Sequence, residues 1–134
     1  MNTSSKPKDV KKMWFQDPLY MSKDSIISLA IESWKFSRTF KSLLQNINVI
    51  EQKKYSGKLS WYEKKIEDYL TTMKINLVNL EGEKYDIGIA ATAINLGEFG
   101  NDDELFVDKM IEPVVMVNNE LHKAGTLLVK RAQK

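Results

Sequence analysis

Between Asp24 and Lys54 the hydrophobic positions recur in alternating steps of three and four: Ile26, Leu29, Phe36, Phe40, Leu43, Ile47 and Ile50, broken only by Ser33. This is the a/d seam of four heptads, and neither glycine nor proline interrupts it. Such a seam predicts one long helix that buries a stripe against other helices. Ile27, Ala30, Ile31 and Trp34 add a second apolar edge to its first half. A face that broad packs against two neighbours rather than one. At ~1.5 Å per residue the helix would run roughly 45 Å, against a radius of gyration of about 14 Å for a compact domain of this length. It therefore spans the body or reaches a partner, most simply a second copy.

Ser22 and Asp24 supply start signals for this helix, and Gly57 suits a left-handed exit after Tyr55-Ser56. Ser60-Trp-Tyr-Glu63 reads as a capping box that opens a second helix. Leu59, Ile66, Met73 and Leu80 sit seven apart on it, widened by Tyr62, Tyr69, Leu70 and Leu77, with an end expected near Glu81-Gly82. A short link makes the two helices antiparallel neighbours, a helical hairpin. The seam exceeds what the short second helix can cover, so a homodimer is expected.

From Tyr85 the period changes to two. Tyr85, Ile87, Ile89, Ala91 and Ala93 alternate with smaller or polar residues, which predicts a strand. Asn95 to Glu104 is a turn-rich loop, and Leu105 to Ile111 alternates as a strand stopped by Pro113. Val114 to Val117 is a short β-rich run, Asn118-Asn119 a tight turn, and Thr126 to Val129 a second run expected to pair with the first. The fold class is therefore α+β: a long helix and a helical hairpin, then a small, mostly antiparallel β unit. The parts are a basic tail with a Trp14 segment over 1–21, a helical dimerisation module over 22–82 and the β unit over 83–134.

Composition narrows the function classes. The absence of cysteine removes disulfides and thiol catalysis and fits a reducing, cytoplasmic setting. No apolar run approaches the ~20 residues of a membrane span, and the polar, lysine-rich stretch from Met1 to Lys12 lacks the apolar core of a secretory signal. Such a stretch is expected to have no stable structure of its own and to be dispensable for stability. The net charge is only +2, and Arg38 and Arg131 are the only arginines, which disfavours a dedicated nucleic-acid reader.

Candidate chemistry is sparse. His122 stands alone between Leu121 and Lys123 near a turn and reads as a surface residue rather than a base. Asp102-Asp103-Glu104 with Asp108 lacks calcium-loop spacing and reads as a solvated acidic loop. Gly97-Glu-Phe-Gly100 has no following Lys-Ser/Thr and is not a phosphate loop. Lys53-Lys54 and Lys64-Lys65 read as solvated charges. No enzyme, cofactor or metal is expected. Phe36 and Phe40 belong to the seam, whereas Trp34 and Trp61 lie where they could meet the Trp14-Phe15 segment or mark an interface.

The order of elements, with the text Leu80-Glu-Gly-Glu-Lys-Tyr85-Asp86, resembles GrpE, the nucleotide exchange factor of DnaK-type chaperones. That family joins helix to β domain with Gly-x-x-Phe/Tyr-Asp-Pro; here Ile87 replaces the proline. Val107 to Val115 and Leu121-His-Lys-Ala124-Gly-Thr-Leu-Leu-Val129 follow the hydrophobic spacing of the family's closing text, without its Gly-Tyr and Arg-Pro. The family's His-Glu-Ala after the junction is replaced by Gly88-Ile-Ala-Ala-Thr. The resemblance covers Leu59 to Arg131. It implies a paired-helix dimer carrying a β domain that binds a chaperone ATPase and releases ADP without covalent chemistry. The exposed end of the β unit is the expected contact, through Met116, Asn118, Glu120 and Lys123. The alternative is a dimeric adaptor or assembly subunit that docks its partner through the helices and Trp14. A membrane-surface or nucleic-acid accessory using the lysine tail is a third class.

Overall fold

In a computed structural model the described residues are 18–132. Two helices, α1 (Pro18–Leu44) and α2 (Val49–Thr72), form a hairpin. Six strands come after them: β1 (Ile75–Val78), β2 (Ala91–Ala93), β3 (Leu105–Glu112), β4 (Val114–Val117), β5 (Glu120–Lys123) and β6 (Gly125–Arg131), with one 3₁₀ turn at Leu96–Glu98. The α+β class read from the sequence is the class observed.

The long unbroken helix is not. The chain turns at residues 45–48, near the end of the seam, after Leu43. There the Gln45, Asn46 and Ile47 amides donate to the carbonyls three residues back, at 3.2, 3.0 and 3.4 Å. Asn48 leaves helical geometry at ψ 157°, and its Oδ1 accepts the Glu51 amide at 2.9 Å, capping α2. Two asparagines that compete with the helical backbone outweigh the apolar periodicity around them. The break gives legs of 27 and 24 residues that pack on each other. Gly57 and the Ser60–Glu63 box, expected as stop and start, lie inside α2. That helix ends at Thr72 rather than Glu81, because the chain turns through Lys74 at φ 60° into β1. The boundary expected at 82/83 thus falls after the first strand.

The strands form two sheets, in the orders β1-β4-β5 and β2-β6-β3. Asn118 and Asn119, at φ 53° and 65°, make the tight turn, and a two-residue turn obliges β4 to pair with the strand immediately after it. Its partners are therefore β5 and β1, not the Thr126–Val129 run. That run, within β6, pairs antiparallel with β3 and parallel with β2. The strand expected over Tyr85–Ala93 is reduced to β2, because Asp86 Oδ1 accepts the Gly88 amide at 2.8 Å and holds a turn before it.

Pro113, buried between β3 and β4, carries the chain from one sheet to the other. The β4 run is apolar on both faces because it is covered on both. Val115 joins Ile27, Ala30, Ile31, Leu70 and Ile75 beneath the helices. Val114 joins Leu105, Val107, Met110, Leu127 and Val129 between the sheets. The result is three layers: helical hairpin, first sheet, second sheet.

Candidate protein-binding surface

Two charged contacts tie α1 to the second sheet. The Arg38 guanidinium lies 4.5 Å from the Trp34 ring centroid and donates to a Glu81 carboxylate oxygen. Glu81 also accepts the Met110 amide at 2.8 Å. Partial burial pushes the Glu81 carboxyl up, but the Met110 amide and Arg38 outweigh it, so it sits below the ordinary carboxylate range. Lys35 Nζ lies 3.0 Å from Glu112. This hydrogen bond, reinforced by Lys123 and opposed by partial desolvation, holds the Glu112 carboxyl low.

The seam of α1 turns outward. The stripe buried within the chain is the second edge, Ile27, Ala30 and Ile31, continued by Ser37 and Leu44. Leu29, Phe36 and Leu43 are 73%, 64% and 57% exposed, and Ile50 is also exposed. Ile26 sits at the margin, while Phe40 and Ile47 are half-buried. Phe36 stacks on Phe40 with ring centroids 6.1 Å apart. Over α1 the seam positions Leu29, Phe36 and Leu43 thus face solvent, with Phe40 half-buried beside Phe36.

The β4–β5 hairpin is the second surface. All four residues of β5 are exposed, and Asn118-Asn119 projects at its tip. Asn118, Glu120 and Lys123, expected to meet a partner, are brought together on it. Met116 is not: it is half-buried against the core between the sheets. Trp14 lies outside the described residues. Sequence reasoning passed over Leu121, which stands exposed between Glu120 and Lys123. An apolar residue just after a two-residue turn was the available signal. Ile87, expected as a strand position, is instead 99% exposed in the turn before β2.

The loop of Asp102–Glu104 is held by its own chain. Asp103 Oδ2 accepts the Gly100 amide at 2.8 Å and meets Arg131 at 3.2 Å. Among the described residues no three His, Cys, Asp or Glu side chains converge to hold a metal, and no helix is long and apolar enough to cross a membrane. His122 is exposed on β5. The chain matches no family model, no curated protein and no solved structure.

Proposed function

We propose that this chain is a non-enzymatic protein-binding factor of the kind its resemblance to GrpE implies, acting on a DnaK-type chaperone ATPase. The observation that carries this reading is the β4–β5 hairpin. A strand with four exposed residues contributes almost nothing to either core, yet it carries Glu120, Leu121 and Lys123 on a sheet anchored by Val115. Such an edge offers backbone groups, one apolar side chain and both charge signs to a partner. If the partner's open cleft accepts this hairpin better than its closed cleft, binding shifts the ATPase toward opening, and ADP leaves faster. The reading places the protein in the cytoplasm.

The exposed α1 stripe supports a homodimer in the same reading. Trp14 and Phe15 lie three to four residues before Pro18 and reach at most ~14 Å. Phe36 lies about 27 Å along the helix from Pro18 and Leu43 about 37 Å. The Trp14 segment of the same chain therefore falls short of both, whereas a second copy can cover the whole stripe. That stripe also favours the alternative reading, a dimeric adaptor without exchange activity.

Release of labelled ADP from a DnaK-type ATPase decides between them. The exchange reading expects acceleration by the full chain and its loss in a Glu120→Lys/Lys123→Glu variant. Both sites are exposed, so the variant should keep its stability within ~0.5 kcal/mol. No acceleration by the unaltered chain leaves the adaptor reading.

A further inference from the structure

A groove of about 300 Å³ opens where α1 and α2 meet β1. Ile66, Leu70 and Leu77 give it apolar walls, and Ser33, Ser37, Tyr62, Glu63, Glu67 and Asn76 give it polar groups. Its lining holds two carboxylates and no basic side chain. Glu63 is engaged loosely by Lys41, at 3.7 Å, and Glu67 forms no ion pair with a described residue. Ser33 Oγ and Tyr62 OH share a hydrogen bond of 2.6 Å. Ser37, only 5% exposed, borders the groove. Two carboxylates and no basic side chain in an apolar-walled slot suit a donor-rich cation on an aliphatic stem, which is a lysine side chain.

We propose that this groove receives the lysine-bearing N-terminal segment of the same chain, residues 1–12. Charge and reach select this occupant. The segment carries Lys6, Lys8, Lys11 and Lys12 against a single acid, Asp9. Lys8 precedes Pro18 by ten residues and so can reach about 34 Å, while Ser33 lies only about 22 Å along α1 from Pro18. Lys6 reaches farther still. The apolar wall of Ile66 and Leu77 matches the lysine stem, and Glu63 and Glu67 match its ammonium. Ion pairs at such a half-open site are weak and screened. The docked segment is therefore readily displaced, and its removal would leave overall stability nearly unchanged.

The chain has no cysteine, so a Ser5→Cys variant of the full chain takes a single nitroxide label beside Lys6. The amide signals of Ser33, Ser37, Tyr62, Glu67 and Asn76 should lose more than about half their intensity relative to the reduced label, and regain it in roughly 0.5 M NaCl. They should also regain it in a Glu63→Gln/Glu67→Gln background. Broadening spread evenly over the chain, or centred on Leu29 and Phe36 or on the β4–β5 hairpin, would overturn the proposal. So would broadening indifferent to salt and to the Gln variants. Nitroxide-bearing chain mixed with isotope-labelled, nitroxide-free chain should leave the groove signals unchanged; loss of those signals would assign the contact to a second copy instead.

Discussion

Lys35 on α1 places its Nζ 3.0 Å from a Glu112 carboxylate oxygen at the end of β3. One turn along the same helix, Arg38 meets Glu81, which also holds the Met110 amide of β3. Two carboxylates thus fasten the helical layer to the far sheet, across the edge of the sheet between them.

Both carboxylates sit below their ordinary pKa in the folded chain. A depressed folded value means stability that is fully present above the unfolded pKa, near 4.3, and lost as pH falls through the folded value. Lys35 is shifted up, chiefly by Glu112, so its share is present below the usual lysine range and fades only as alkaline pH rises through its folded value. Stability should therefore be flat from about pH 6 to 8 and fall below about pH 4.5. Glu81→Gln should cost roughly 1 kcal/mol at neutral pH, with the part-exposed setting discounted, and should flatten the acid limb. Urea midpoints at several pH values test this; an acid limb identical in Glu81→Gln would remove Glu81 from the account.

Ile31 and Leu43 separate the two edges of α1. Ile31 is buried under the helices, so Ile31→Ala should cost about 2 to 5 kcal/mol. Leu43 is exposed, so in the monomer Leu43→Ala should cost less than about 1 kcal/mol. If the stripe joins two copies, Leu43→Ala should instead weaken the dimer in sedimentation runs at micromolar concentration. A clean monomer for the unaltered chain would remove the dimer from the proposed function.

Gly57 offers a test of the break at residues 45–48. It lies inside α2 without a positive φ, and a Cβ added there meets open space. Gly57→Ala should stabilise the chain by roughly 0.5 to 1 kcal/mol, since it removes unfolded-state freedom and improves helix propensity. If the chain instead left the helix at Gly57 in left-handed geometry, the same change would destabilise it. A thermal melt distinguishes the two by sign.

Gly125 predicts the opposite outcome. A Cβ there would lie 2.9 Å from both the Glu112 carbonyl oxygen and Met110 Cε, where β6 passes close beneath the β3–β4 corner. Gly125→Ala should therefore cost about 1 to 3 kcal/mol, with the backbone oxygen unable to yield as a side chain would. A melt unchanged from the parent would mean that this corner is looser than the packing requires.

Period and turn chemistry were local properties, and they determined what the sequence could determine. Alternation placed β3, four apolar residues in a row placed β4, and Asn118-Asn119 placed the turn, since backbone preference at positive φ is a property of the residue itself. Helical content in the first half was legible for the same reason. Three matters were left to the tertiary structure. The helix broke at Asn46 and Asn48 although the heptads ran on, because their side chains compete with the helical backbone, and the two legs could then pack on each other. Strand pairing crossed the expectation at β6, because the two-residue turn pairs β4 with β5 and leaves β6 to β2 and β3, strands distant in the chain. Which edge of α1 faces inward depended on Ile27, Ala30 and Ile31 finding Leu70, Ile75 and Val115, residues far along the chain from them. Periodicity records that a face is apolar; what covers it is decided by partners distant in the chain.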